Sequence, residues 1–329
     1  MNLSVVIPLY NEAPNLQATM DALVVAAERS PFTVEVVVVD DGSTDGSPAA
    51  ARTALRDRLP LRVVERPHEG RFKARRAGVD AASHEWVLLH DARVRLHEDG
   101  LRFLHERLPN AHVWNGHVVV DAHGNAYGAF GDVVVHLAWA RYFADPRETT
   151  FGLEDFDHYP KGTGCFVARR TLLLEAMDSF APRIADWRFV SDDTQLIRWI
   201  AASERIHVAP QFGCVYTPRS NMRAFIKHAL YRGSTFVDGH GRRESRFYPV
   251  VLGFFPVSAA LAVAAVRRPS VVPVAAAATS AAAAVVAARA RRPAFDIASF
   301  AALAPVYAVA HGAGMWRALG LVIRARTRR

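Results

Sequence analysis

Two cysteines, Cys165 and Cys214, are all that this 329-residue chain contains. Neither sits in a Cys-x-x-Cys pair or beside histidines at ligand spacing, so there is no zinc-type site. Both lie among apolar or small residues and suit buried free thiols of a reducing compartment, though one bridge between them stays open. Also missing is a basic stretch leading into an apolar core at the start: the chain enters a β-branched run by Val5. That argues against a cleavable leader and for a catalytic region that stays cytoplasmic. There is no internal repeat and no nucleic-acid recognition motif, so the net charge of +8 points to phosphate-bearing ligands or anionic lipid headgroups instead. Charged residues make up 22% and apolar ones 51%, enough for a sizeable core and room for two domains.

What is present is concentrated near the start. Val5, Val6 and Ile7 stop at Pro8 and Asn11, and Val36 to Val39 stop at Asp40, Asp41 and Gly42. Unbroken apolar runs of this length suit strands buried on both faces of a parallel sheet. Acidic groups at the ends of such strands fall where open α/β sheets bind ligands. Turn chemistry at Pro8 and Asn11, and helix capping by Asp40 or Asp41, are the plainer readings of the same residues.

Taken together, Ser4–Glu12 (SVVIPLYNE) and Val34–Ser47 (VEVVVVDDGSTDGS) resemble the opening of family 2 glycosyltransferases. The resemblance continues through RFKARRAGVDAA, LLHDARV, GTGCFVARR and SDDTQLIRW, roughly the first two-thirds of the chain. It implies an α/β fold of GT-A type: a mostly parallel sheet flanked by helices, then C-terminal transmembrane or interfacial helices. The implied organisation is a cytoplasmic domain over 1–218, an amphipathic interfacial segment over 219–246 and a membrane region over 247–329.

Helical spacing predicts helices over 15–29, 45–59, 71–82, 100–108, 171–177 and 194–202, with strands at 61–65 and 86–90. Alternation over 113–130 around Asp121–Gly124 reads as hairpin-like. The polar, aromatic stretch 142–161 has little periodicity and reads as a long substrate lid. In 219–237, Met222, Phe225, Ile226, Ala229 and Leu230 share one face while Arg223, Lys227 and Arg232 lie elsewhere, a pattern that suits a bilayer surface. Spans are expected at 247–266 and 270–288. A third apolar segment, 298–314, is shorter and runs into the basic stretch Arg317–Arg329. The positive-inside rule favours Arg289, Arg291, Arg292 and the C-terminal arginines in the cytoplasm, hence a hairpin and a segment that does not cross.

A sugar transferase must hold a nucleotide, offset diphosphate charge and deprotonate an acceptor hydroxyl. The resemblance implies that Pro8, Tyr10, Glu12, Asp40, Asp41 and Arg75 bind the nucleotide of a UDP- or GDP-sugar. Asp91 takes the place of the family's Asp-x-Asp motif, which binds Mg²⁺ or Mn²⁺ on the sugar diphosphate, but here the sequence is Asp91-Ala92-Arg93. Three consequences stay open: Asp91 alone anchors the metal, Arg93 itself offsets the diphosphate charge, or Arg93 pairs with Asp91 and silences the site. Asp193 matches the family's general base and Asp192 its neighbour, for a displacement that inverts the anomeric centre; two adjacent carboxylates also favour a raised pKa. Plain N-capping is the simpler alternative. Gly162-Thr163-Gly164 resembles the loop along which the acceptor approaches. The letters Gln195, Arg198 and Trp199 spell a motif of processive synthases, but two residues after Asp193 they are out of place. The implied partners are a lipid-linked or polysaccharide acceptor and membrane lipids, with a polyprenyl-phosphate sugar synthase or a silent nucleotide-sugar-binding scaffold as alternatives.

Overall fold

A computed structural model describes residues 1–327; Arg328 and Arg329, the end of the basic stretch, lie outside the described residues. The chain forms two compact units, one of residues 1–121, 139–181 and 192–217, the other of 122–138, 182–191 and 218–329.

The first unit opens with β1 (Asn2–Leu9), α1 (Ala13–Glu28), β2 (Thr33–Asp40), α2 (Ser47–Leu55), β3 (Leu61–Glu65), α3 (Arg71–Ala81) and β4 (Trp86–His90). It continues through β5 (Val94–Leu96), α4 (Gly100–Arg107) and β6 (Trp114–Val120). After α5 (Ala126–Ala138), which belongs to the other unit, come α6 (Ala140–Phe143), β7 (Thr149–Phe151), β8 (Cys165–Arg169), α7 (Arg170–Asp178), α8 (Thr194–Ile200) and β9 (Ile206–Tyr216). The strands form one sheet in the order β3-β2-β1-β4-β8-β6-β9-β5, with β7 on β9. The β3-β2-β1-β4 half is parallel, whereas β8 runs antiparallel to β4 and β6.

The apolar runs explain this order. Val5, Val6 and Ile7, and Val36 to Val39, are wholly buried, because helices cover both faces; each such side chain contributes about 1.5–3 kcal/mol by leaving water. Leu9 pairs with Asp40 and Asp40 with Glu65, so the polar strand ends line up on one edge. Gly78 lets α3 lie directly on the sheet, since a Cβ there would stand 2.2 Å from Val6 Cγ1. The two cysteines are free and buried.

Two expectations are corrected. The 113–130 stretch is not a hairpin: β6 pairs with β8 and β9, and the Asp121–Gly124 turn leads into α5. Asn125 redirects the chain, its Oδ1 accepting from the Tyr127 and Gly128 amides at 3.0 and 3.2 Å, a cap that outweighs alternation. The 142–161 stretch is not one long loop. It holds β7 and a 3₁₀ turn at Phe156–His158, and Tyr142, Phe151, Phe156 and Tyr159 are buried. Those aromatics bury large area without a regular period.

The second unit holds α5, a 3₁₀ turn at Trp187–Phe189, α9 (Met222–His240), α10 (Tyr248–Arg267), α11 (Val271–Arg289) and α12 (Ala294–Thr327). Helices α9 and α12 cross almost backbone to backbone. A Cβ on Gly233 would stand 1.9 Å from the His311 carbonyl oxygen, and one on Gly314 2.1 Å from that of Leu230. Ser234 Oγ donates to the Gly314 carbonyl at 3.1 Å across the crossing. Phe130 of α5 packs on Phe225, Phe300 and Tyr307, and Arg292 bonds both Asp132 and Asp296. Asp238 accepts from the Arg183 and Ser191 amides at 2.8 and 2.9 Å; burial pushes its carboxyl up.

Helices α10, α11 and α12 are each long and apolar enough to cross a membrane. The third apolar segment is therefore not short, as 298–314 had suggested: α12 has 34 residues. Pro305, His311, Gly312 and Gly314 are carried inside the helix, which packs on α9.

Candidate active site

The two opening motifs clasp one another at the ends of β1 and β2. Asn11 Oδ1 accepts from the Thr44 amide at 2.8 Å and the Asn11 amide donates to Ser43 Oγ at 2.9 Å. The Glu12 amide donates to Ser47 Oγ at 2.9 Å. Pro8 is buried inside β1. Asp40 and Asp41 are both buried but differently engaged. The Asp41 carboxylate accepts from the Glu69 and Gly70 amides, each at 2.9 Å, and lies 2.8 Å from His68 Nδ1. It thus fixes the turn that starts α3. Asp40 takes only the Ser43 amide, at 3.2 Å to both oxygens. Tyr10, 39% exposed, stacks on the His68 ring with centroids 3.9 Å apart.

Below this edge, α3 delivers Arg75 into the interior. Its side chain is 2% exposed and joins two carboxylates: Nη2 lies 2.5 Å from Asp91 Oδ1, and Nη1 bonds Asp192. Arg71, one turn earlier, reaches Asp192 at 3.2 Å. Burial drives the Asp91 carboxyl upward, but Arg75 and then Arg71 outweigh it and hold it below the usual carboxylate range. Burial pulls Arg75 down against the pull of Asp91 and Asp193; a guanidinium still stays charged at neutral pH. His90, wholly buried, is lowered to about 4 by burial and so is neutral; its Nε2 lies 2.8 Å from the Val94 carbonyl.

Opposite Asp91 runs the small-residue loop. The Asp91 amide donates to the Gly164 carbonyl at 2.9 Å, and a Cβ on Gly164 would stand 3.0 Å from Asp91 Oδ2. Gly162 donates its amide to Asn115 Oδ1 at 3.0 Å, and Thr163 is buried. Asp193 caps α8 through the Thr194 amide at 2.6 Å and is half-buried, while Asp192 is 2% exposed. Of the Gln195, Arg198 and Trp199 letters, Arg198 bonds Asp157 at 3.1 Å and lies 4.3 Å over the Phe156 ring.

Arg93 does not pair with Asp91. Its Nε lies 2.8 Å from Glu12 Oε2, and Glu12 also accepts from Asn15 Nδ2 at 2.7 Å. Among the described residues no three His, Cys, Asp or Glu side chains cluster as metal ligands. With Oδ1 of Asp91 given to Arg75, Oδ2 is the oxygen left beside Gly164. That donor set fits a divalent ion held by one protein carboxylate with phosphate oxygens and water, not a two-carboxylate clamp.

The sequence reading missed three participants. His68 sits in a Pro67–Gly70 turn and is brought to Tyr10 only by Asp41. Arg71 reads as a solvated helix cation until Asp192 comes beside it. Asn115 carries no local signal, being one of two polar side chains, with His117, in the strand β6.

Residues 4–173 match the family model described as Glycosyl transferase family 2. Over 84 residues the chain is 36% identical to the dodecaprenyl-phosphate galacturonate synthase of Rhizobium johnstonii, covering 25% of each chain; the match thus spans about a quarter of the length of this curated relative. Two solved structures share the fold. One is S. aureus TarS 1-349 in complex with UDP-GlcNAc, with a TM-score of 0.52 and 17% identity over 92% of this chain and 90% of that one. The other is the mannosyltransferase PcManGT of Pyrobaculum calidifontis with GDP-Man and Mn²⁺, with a TM-score of 0.52 and 21% identity over 95% and 86%.

Proposed function

Because the chain belongs to glycosyl transferase family 2, we propose that its first unit transfers a sugar, with inversion, from a nucleotide-sugar donor to a membrane-associated acceptor such as a lipid-linked glycan or an envelope polysaccharide. The nucleobase binds at the β1 and β2 ends beside Pro8 and Tyr10. Asp40 accepts its imide proton there, since Asp41 is already saturated by the His68–Gly70 turn. Asp91 would hold a divalent cation, which would offset the charge of the leaving diphosphate.

The observation that carries the reading is the place of Asp193, half-buried at the start of α8 and next to Asp192, which Arg75 and Arg71 hold. Asp193 takes the proton of the acceptor hydroxyl. The hydroxyl oxygen attacks the anomeric carbon from the face opposite the diphosphate, and the carbon–phosphate-oxygen bond breaks toward the nucleotide. The Gly162–Gly164 loop, lacking side-chain bulk at both ends, leaves room for the acceptor beside Asp91.

A polyprenyl-phosphate acceptor is a second reading with its own support. An apolar groove of about 530 Å³ lies between α9 and α12, lined by Ile226, Leu230, Pro305, Val306, Val309, Ala310 and Ala313. Arg223 and Lys227 are exposed on the same helix as Ile226 and Leu230, a combination suited to a hydrocarbon chain with a phosphate head. The Rhizobium relative is named for such a substrate.

The test incubates detergent-solubilised protein with UDP-, GDP- and dTDP-sugars, with and without Mn²⁺ or EDTA, and measures nucleotide release. With a hydroxyl acceptor, Asp193→Asn should lower kcat about 10²–10⁴-fold at unchanged donor affinity. A phosphate acceptor is already deprotonated, so the same variant should retain most activity with polyprenyl phosphate. Donor binding without turnover across the panel would leave the silent scaffold as the reading, and absence of both would overturn the enzyme reading.

A further inference from the structure

We propose that Arg93 is a pre-oriented cation for the donor's diphosphate, taking the place that a second metal-binding carboxylate would occupy. The inference rests on the nucleotide-sugar reading above and concerns the same site.

Arg93 is fixed at its backbone and at one edge of its head. Its carbonyl accepts from the Thr217 amide at 2.8 Å, and that of Ala92 accepts from Thr19 Oγ1 at 2.8 Å. The side chain, 20% exposed, meets Glu12 through Nε alone, at 2.8 and 2.9 Å to the two carboxylate oxygens. Among the described residues neither Nη group has a protein acceptor. An arginine whose purpose was only to neutralise Glu12 would use the bidentate fork, Nε together with Nη. Here Glu12, itself braced by Asn15 at 2.7 Å, engages only the inner edge and leaves four N–H donors in one plane.

The position of that edge supplies the ligand class. Arg93 follows β4 two residues after Asp91, and Glu12 follows β1, the strand paired with β4. The guanidinium therefore lies at the carboxyl ends of neighbouring parallel strands, where open α/β sheets bind ligands. Asp91 does not compete for it, because Arg75 already holds Oδ1 at 2.5 Å. A planar fork with two open nitrogens matches two oxygens of a nucleoside diphosphate. Being fixed before the reaction, it meets the charge that grows on the leaving group without reorganising. Glu12 is a positioning residue in this scheme: it directs Arg93 and touches no reacting atom.

The test is calorimetric binding of UDP and of GDP to the solubilised full chain, in Mn²⁺ and in EDTA, alongside thermal melts that confirm folding. Chelation should weaken wild-type binding by less than about threefold. Losing charge-assisted bonds of about 1.5–3 kcal/mol, Arg93→Ala should bind about 10–100-fold more weakly in both conditions. Arg93→Lys, which keeps charge without the fork, should recover part of the loss. Arg93→Asp recreates Asp-x-Asp, so its binding should become metal-dependent, falling about tenfold or more in EDTA. Glu12→Gln, which leaves Arg93 intact but unsteered, should lie between wild type and Arg93→Ala. Wild-type binding that needs Mn²⁺, or an Arg93→Ala protein that binds normally, overturns the proposal while leaving the nucleotide-sugar reading intact. Binding of neither nucleotide, nor of their sugars, under either condition overturns both.

Discussion

Arg75 is the residue on which the site's electrostatics turn, since it touches both Asp91 and Asp192. Removing it would take a partner from the buried Asp192 and from the half-buried Asp91, and breaking a buried pair typically costs about 3–5 kcal/mol. Arg75→Ala should therefore lower the melting temperature markedly, while Arg76→Ala, whose partners Asp80 and Asp178 are exposed, should hardly move it. The pH dependence has a definite sign. Arg75 depresses the Asp91 pKa, so the folded state gains stability above the ordinary carboxylate range and loses it as pH falls through the lowered value. In Arg75→Ala that acid-side loss should shrink or reverse, because burial then pushes the Asp91 carboxyl up, which pH-dependent melts would register. Sequence reading reached Asp91 and Arg75 through motif position, but not their contact. A pairing across 16 residues arises only when α3 is laid over the sheet.

At the scale of elements, glycines set how closely helices approach. Gly233→Ala would press a methyl against the His311 carbonyl at 1.9 Å, backbone that cannot rotate aside. We expect destabilisation of about 1–3 kcal/mol or more, read as a lower melting temperature in detergent. Gly320→Ala, with open space around its Cβ, should be neutral or slightly stabilising. Strands β3 and β4 were legible to the residue, because short apolar runs bounded by polar residues mark strands. Helix α5 was hidden because Asn125 caps it after an alternating run, and β7 because three residues hold no period. The first begins at a local cap, and the second exists through its pairing with β9, far along the chain.

For the molecule as a whole, length and charge together set the topology. At 1.5 Å per residue the 34 residues of α12 would reach about 50 Å, more than a hydrocarbon core of about 30 Å. Length therefore allows crossing, but charge opposes it. Arg317 and Arg324 would be carried to the far side, against the positive-inside rule. We expect α10 and α11 to form a hairpin and the C-terminus to lie on the cytoplasmic side with Arg289, Arg291 and Arg292. A cysteine appended at the C-terminus should then resist a membrane-impermeant maleimide in intact cells and react after lysis. Reaction in intact cells would mean that α12 crosses.

The sequence by itself determined the sheet's parallel half, the family, and the residue types at each strand end, because local apolar runs and turn chemistry act over a few residues. It also carried the departure at Arg93, a substitution visible without coordinates. Only the tertiary structure decided which charges meet: that Arg93 takes Glu12, that Arg75 takes Asp91 and Asp192, and that Asp41 is spent while Asp40 is not. Those pairings join residues brought together by helix packing and strand order. Coulomb and hydrogen-bond terms act across a few ångströms of space, and the distance along the chain does not enter them.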